Sequence, residues 1–331
     1  MRFVQPALTA TAVMAALTAF SVLGSPSGQG GSAGKVTCAY CKTANTGVKV
    51  CKTCKTSVDY ANFPVPTALA ATGFGDEMPC WGPNGKIVYI NGQGGRDVTI
   101  MNGDGSNPKK FPRGQNSLGD QHPFWGPNGK IVFAGGVTNQ DVYVMDSDGS
   151  NRRKVTELMF DERMPTVNAE GKVVFASNHE QPADSGFNLF MVDLDGQNLK
   201  KLTQDGTFNF NPCWSPDGKR IAYNAAVGGT HQVFVMNADG TGVKQLTTKG
   251  PNYDPSWGPD GRIAFVSERD HEKGEIYIMK SDGTGQTRLT WNLWRDARPS
   301  LGAGGRLLFE SDPNYGPHEA KNNCVMLLKV K

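Results

Sequence analysis

The chain has 331 residues, 34 Lys and Arg against 31 Asp and Glu, and a formal net charge of only +3. A charge so close to balance excludes the basic footprint of a nucleic-acid binder and a polybasic membrane anchor. The 41 glycines and 20 prolines sit at regular positions, which points to many tight turns rather than to disorder.

In chain order, the first element is an export signal. Arg2 supplies a positive charge, residues 7–24 form a near-continuous apolar run, and small residues follow in GSPSGQGGSAG. Its terminal place and small-residue end favour a cleaved signal peptide over residues 1–24, with an uncleaved anchor as the alternative. The folded part is therefore expected to be periplasmic or secreted, touching a membrane only through this segment if it is uncleaved. A flexible linker over 25–36 leads to CAYCKTANTGVKVCKTC, a small module over 37–56. Cys38, Cys41, Cys51 and Cys54 form two Cys-x-x-Cys pairs, and two such knuckles can wrap one tetrahedral ion. One structural zinc is the expected cofactor; two disulfides or a redox pair are the alternatives for an exported chain.

From residue 57 onward the sequence repeats itself. DEMPCWGPNGK, DQHPFWGPNGK, ERMPTVNAEGK, NFNPCWSPDGK, NYDPSWGPDGR and DARPSLGAGGR align on Pro79, Pro123, Pro165, Pro212, Pro255 and Pro299, at spacings of 44, 42, 47, 43 and 44 residues. A period in the low forties with several strands per unit is the mark of a β-propeller blade. Each unit reads as four strands: A at Pro-x-Trp, B as in KIVFA, C as in DVYVM, and D as in KQLT. Asn-Gly and Asp-Gly turns between them supply the positive φ that two-residue hairpins need. The expected fold is all-β, a six-bladed propeller of four-stranded blades. Trp81, Trp125, Trp214 and Trp257 are expected between blades, and Cys80, Cys213 and Cys324 on strands as small apolar residues.

These motifs resemble the TolB-type propeller repeat, a relative of the WD-type repeat, with its Pro-x-Trp-Ser-Pro-Asp-Gly-Lys-x-Ile-Ala-Phe pattern. The likeness covers about residues 67–331 and is strongest in units 1, 2, 4 and 5; Val167 and Ala169 replace the Trp and second Pro in unit 3, Leu301 and Ala303 in unit 6. The α/β domain that precedes the propeller in TolB itself is not recognisable here, so its docking partner is not carried over.

Unit 6 ends at CVMLLKVK, which matches strand C and leaves an open edge. TALAAT, residues 67–72, stands where a strand D would, and is expected to close blade 6. Connectivity places A–B and C–D turns on one face and the variable B–C and D–A loops on the other, the expected working face. Its longest loops span 178–187 and 312–323. His179, His231, His271 and His318 lie in or beside B–C loops, and His122 precedes strand A of blade 2.

Three residues before each repeat proline stands Asp76, Asp120, Glu162, Asn209, Asn252 or Asp296. Sixfold repetition predicts these near the channel mouth, as a ring for a cation or basic group; alternatively each hydrogen-bonds its own turn. With His122 they form the candidate ligand-binding set. No catalytic residue is singled out: the histidines are scattered, and there is neither a nucleophile elbow nor a phosphate loop. The expected function is an exported binding scaffold for a protein, peptide or glycan of the cell envelope. A propeller-type polysaccharide lyase or hydrolase is the alternative, favoured if three or more ionisable groups converge at the channel mouth.

Overall fold

The computed structural model describes residues 66–70, 75–93, 95–113, 117, 119–179, 186–204, 208–291, 294–312 and 324–330, together with the backbone of the paired strands Lys35–Thr37 and Ala44–Thr46. The first 34 residues, Cys38, Cys41, Cys51 and Cys54, His318, loop 312–323 beyond Asp312 and most of loop 178–187 lie outside the described residues.

Six four-stranded antiparallel sheets follow one another in chain order. Blade 4 shows the pattern: strand A is Phe210–Trp214, B is Arg220–Val227, C is Thr230–Asn237 and D is Lys244–Gln245. The inner strands A are Glu77–Trp81, Gln121–Trp125, Glu162–Val167, Phe210–Trp214, Asn252–Trp257 and Arg295–Leu301. Each packs against the next around the ring, and the sixth against the first. The sixth sheet takes its outer strand from the other end of the chain: Thr67–Ala70 pairs antiparallel with Cys324–Lys329. That pairing covers the edge the C-terminal strand would otherwise expose.

The Trp-Gly dipeptides lock neighbouring blades. Trp125 is packed among Met78, Val88, Ile90, Ile100 and Phe111 of blade 1. Trp214 packs on Val174, Ala176 and Leu189 of blade 3, and Trp257 on Ala222, Val233 and Val235 of blade 4. Gly82 gives the ring of Trp125 room to lie flat on the chain, since a Cβ there would stand 2.2 Å from Cε3. Gly302 does the same for Trp81, at 2.6 Å. Val167 and Leu301 stand on Gly126 and Gly258 in the same way, at 2.4 and 2.5 Å, whereas Asn168 and Ser215 hold the glycine's place in blades 3 and 4.

The repeat proline determines the shape of the inner strand. Proline has no N–H for the ladder, so a strand can hold it only at an edge or a bulge. All six A–B pairings shift register there, between Glu77/Cys80, Gln121/Phe124, Arg163/Thr166, Phe210/Cys213, Tyr253/Ser256 and Ala297/Ser300. The residue before the proline takes up the extra length with a left-handed backbone: φ is 57° at Met78, 51° at His122, 55° at Met164, 52° at Asn211, 51° at Asp254 and 51° at Arg298. His122 therefore lies inside strand A of blade 2 rather than ahead of it, because the strand begins two residues before its proline.

Candidate functional site

The bulges build the site. A left-handed φ is uncommon for any residue but glycine, and six at one level of a ring mark a place where the fold holds strain. Met78, His122, Met164, Asn211, Asp254 and Arg298, with the prolines beside them and Cys80, Phe124, Cys213, Ser256 and Ser300 below, line a central funnel. It encloses about 660 Å³ of non-protein space, including the solvent at its mouth. It lies toward the N-terminal ends of the A strands, the end served by the variable loops.

The bulge also frees backbone N–H groups, which reach to the preceding blade. Met78 N donates to Glu310 Oε2 at 3.2 Å, His122 N to Met78 Sδ at 3.0 Å, Asp254 N to Asn224 Oδ1 at 3.3 Å and Arg298 N to Asp254 Oδ2 at 3.3 Å. The backbone at each of these four positions is thus tied to the blade before it.

The funnel has two unlike halves. Blades 1 to 3 offer Met78, His122 and Met164, a soft and largely apolar wall. Blades 4 to 6 offer a polar chain. Asn211 Nδ2 donates to Asp254 Oδ1 at 2.6 Å and to Asn224 Oδ1 at 2.9 Å. Asn224 Nδ2 meets His231 Nδ1 at 3.2 Å, so Nδ1 is the acceptor and the imidazole proton sits on Nε2. Buried Glu310 accepts from Arg295 Nη1 at 3.1 Å and holds Arg298 Nη1 at 3.8 Å. Burial pushes Asp254 above its usual range against the pull of Arg298 and Arg295. Burial also works to lower Arg298, but Glu310, Asp254 and Glu77 outweigh it and hold the guanidinium up. Burial first, and then the charges of Arg298, Arg96 and Arg163, keep His122 well below the usual histidine range. His122 is thus neutral at physiological pH, in a positive local field.

Beside the mouth an aromatic run crosses blades 3 to 5. Ring centroids lie 6.1 Å apart for Phe208 and Phe210, 4.9 Å for Phe187 and Phe210, 6.4 Å for Phe210 and His231, and 5.3 Å for His231 and Tyr253. Arg163 Cζ lies over Phe187 at 5.3 Å. Phe208, at one end of the run, is 44% exposed.

The six polar residues singled out three places before the prolines are at 0% exposure and do not line the funnel. Asp120 takes both arms of Arg152, at 2.7 and 3.0 Å. Glu162 accepts from Thr156 Oγ1 at 3.1 Å, and Asn209 Nδ2 donates to Phe187 O at 3.1 Å. Asn252 Nδ2 donates to Gln232 Oε1 at 3.0 Å and to Gly250 O at 2.8 Å. Asp296 Oδ1 accepts from Ser311 Oγ at 2.5 Å, and Asp76 is buried beside the closing blade. These are bonds that hold loops and strand ends. Of the predicted set, the structure brings His122 to the funnel, together with residues the sequence reading passed over.

Two signals in the sequence point to those residues. The position before the proline changes from blade to blade, as Met, His, Met, Asn, Asp and Arg, whereas the position two earlier is always polar. A side chain facing the axis meets no fixed neighbour and is free to vary, whereas one inside a repeated hydrogen-bond motif is not. In strand B, the residues paired opposite the bulge are Ile90, Ala134, Ala176 and Val266 in four blades but Asn224 and Glu310 in the other two. A buried amide and a buried carboxylate where the repeat has apolar residues are the departures that shape the polar half.

Among the described residues no three His, Cys, Asp or Glu side chains cluster as a metal site. Met78, Met164 and His122 are soft donors on one wall, but the arginines around His122 make that wall unfavourable to a cation. Burial pushes the Cys80 thiol up to about 11 and Cys213 to about 12, so neither is a nucleophile at neutral pH. No helix among the described residues is long and apolar enough to cross a membrane.

Comparison with known proteins agrees with the propeller fold. Residues 123–312, more than half of the chain, match the TolB beta propeller domain family. The Tol-Pal system protein TolB of Geobacter sulfurreducens is 34% identical over 74 residues, 21% of this chain and 16% of that protein. The chain spans between about a tenth and a sixth of the length of the first curated relatives it matches. The crystal structure of TolB from Acinetobacter baumannii superposes with a TM-score of 0.56 at 21% identity, over 75% of this chain and 64% of that one. The oligogalacturonate lyase of Vibrio parahaemolyticus does so with a TM-score of 0.54 at 12% identity, over 85% and 96%. At such identities the likeness is one of fold.

Proposed function

The chain belongs to the TolB beta propeller domain family, and on that premise we propose that it is an exported binding scaffold for a protein, peptide or glycan of the cell envelope. The observation that carries this reading is the aromatic run from Phe208 to Tyr253 beside a funnel with one soft and one polar half. Aromatic rings with one face open are the side chains that dominate recognition surfaces, because they offer area at small entropic cost. A rigid ring of blades holding them is the scaffold such a surface needs. Relatives named for the Tol-Pal system favour an envelope protein as the partner class. Export rests on residues 1–24, so the working compartment is the periplasm or the exterior. Cys38, Cys41, Cys51 and Cys54 are proposed to hold one structural zinc in a module separate from the funnel.

Affinity capture from the native envelope with mass spectrometry tests the reading. A partner held by the wild type should be lost from Phe208→Ala and His122→Gln and retained by Gly129→Ala, whose site is on the opposite, turn-rich face. Equal retention by all three would show that the loop-rich face is not the working one.

The competing reading, a polysaccharide lyase or hydrolase, draws on the convergence of His122, Asp254 and Arg298 in the funnel. Against it, among the described residues no carboxylate orients the His122 ring, whose Nδ1 has no partner, and Asp254 is occupied by Asn211 and Arg298. A general base needs such an orienting group. Reducing-end and unsaturated-product assays on acidic and neutral polysaccharides separate the two: turnover abolished by His122→Gln would replace the scaffold reading.

A further inference from the structure

Four buried nitrogens have no hydrogen-bond partner among the described residues: His122 Nδ1 and Arg298 Nη1 on residues that line the funnel, and Arg96 Nε and Arg163 Nε on residues near enough to act on the charge of His122. Leaving a buried donor unmade costs free energy, more so on a charged group, and one such atom calls for an explanation. Four around one cavity call for a common one. The connections between them are short. Arg96 Nη2 bonds Glu77 Oε2 at 2.8 Å and reaches Met78 Sδ at 4.0 Å, and that sulfur accepts from His122 N. Glu310 joins Met78 N to Arg298. Arg163 directly precedes Met164 on the funnel wall and is anchored by Asp161 at 2.7 Å.

Arg96 and Arg163 each have a carboxylate on Nη2, which fixes the head while Nε remains unused; Arg298 Nη1 faces Glu310 at 3.8 Å, an ion pair beyond hydrogen-bond reach. The unused groups are donors, since a guanidinium has no acceptor and a neutral imidazole can carry its proton on Nδ1. The group that answers several donors near one cavity is one that only accepts, with two oxygens and a negative charge: a carboxylate. A metal cation does not fit: the carboxylates present already face the arginines, and among the described residues no three His, Cys, Asp or Glu side chains cluster as a metal site. A hydroxyl-covered sugar ring fits poorly too, since the wall of Met78, Met164 and the prolines would leave its hydroxyls without partners. A carboxylate at the end of a short aliphatic stem suits both halves, its stem against the thioethers and its oxygens toward the donors.

We propose that the funnel receives the side-chain carboxylate of an Asp or Glu on a partner peptide, with Arg298 and His122 on its wall, Arg96 and Arg163 beside them, and the flanking peptide laid on the Phe187–Phe210–Tyr253 run. This rests on the scaffold reading and narrows the partner to an acidic peptide segment. The full-length purified protein, labelled with 15N-histidine, is titrated with acetyl-Ala-Glu-Ala-amide while the His122 ring signal, assigned through His122→Gln, is followed. The glutamate peptide should move that signal saturably. Acetyl-Ala-Gln-Ala-amide should bind at least tenfold more weakly, and Arg298→Met should weaken the glutamate peptide at least tenfold, with Arg298→Lys between. The wild-type comparison of the two peptides needs no variant to fold. Equal binding of the glutamine peptide overturns the proposal, as does glucuronate moving the signal where the peptide does not, which would make the ligand an acidic saccharide. Inorganic phosphate matching the peptide in wild type and Arg298→Met alike would mean adventitious anion binding and also end it. An envelope partner still captured by Arg298→Met would end this proposal and leave the scaffold reading standing. Peptide binding without any envelope partner would do the reverse.

Discussion

Gly82→Ala isolates the blade-to-blade contact that the repeat relies on. Gly82 has φ −103° and ψ 178°, extended backbone that alanine adopts freely, so the substitution brings no conformational strain. The added methyl, however, would lie 2.2, 2.3 and 2.8 Å from Cε3, Cδ2 and Cγ of Trp125. Carbon atoms pack at about 3.5–4.0 Å, so the indole must retreat by more than about 1 Å. It has little space for this, being 7% exposed and set among Met78, Val88, Ile90 and Phe111. Overpacking of a filled core costs roughly 1–3 kcal/mol, and the depth of this overlap puts the expected loss near about 3 kcal/mol. Urea unfolding should report it as a lower midpoint at unchanged slope. In a Trp125→Ala background the ring that the methyl would strike is absent, so Gly82→Ala should cost at least about 1 kcal/mol less there, a coupling typical of touching residues. A cost below about 0.5 kcal/mol in the wild type, or the same cost in both backgrounds, would refute the interlock.

Three further outcomes are expected. Burial, reinforced by Asp141 and Asp161, pushes Glu162 up to about 9 despite its bond from Thr156. The native state keeps a proton that the unfolded chain releases near about pH 4.3. The stability this gives is full below that pH and is lost as pH rises toward 9, so Glu162→Gln should gain on the wild type steadily between about pH 5 and 8.5 in thermal melts. A flat or falling difference would contradict the burial argument. Deleting residues 1–72 should leave Cys324–Lys329 as an open edge, lower the melting temperature and promote self-association on a sizing column; an unchanged monomer would show that the clasp contributes little. The mature protein should carry one zinc per chain by elemental analysis, lost when Cys38 and Cys51 are changed together. A metal-free chain lighter than its reduced form by about four hydrogens would instead mean two disulfides.

The blades, their number and their strand order were legible in the sequence because each is a local matter. A Pro-Asp-Gly or Pro-Asn-Gly turn, an alternating run and a fixed period act within a few residues of one another, and repetition lets one unit vouch for the next. The place of Thr67–Ala70 beside Cys324–Lys329 was legible for the same reason, since a missing strand can be counted. The funnel was not. Its lining depends on which way a side chain points at a bulge, and one extra residue reverses that direction. The reading from sequence took the constant polar position for the channel and passed over the variable one, whereas burial assigns Asp120 and Glu162 to the interior and the bulge turns Met78, Asp254 and Arg298 to the axis. The aromatic run was hidden for another reason: Phe187, Phe210, His231 and Tyr253 come from three blades, up to 66 residues apart in the chain (Phe187 to Tyr253). Local sequence determined the blade; only closure of the ring, which brings side chains of different blades to one axis, decided what meets in its mouth.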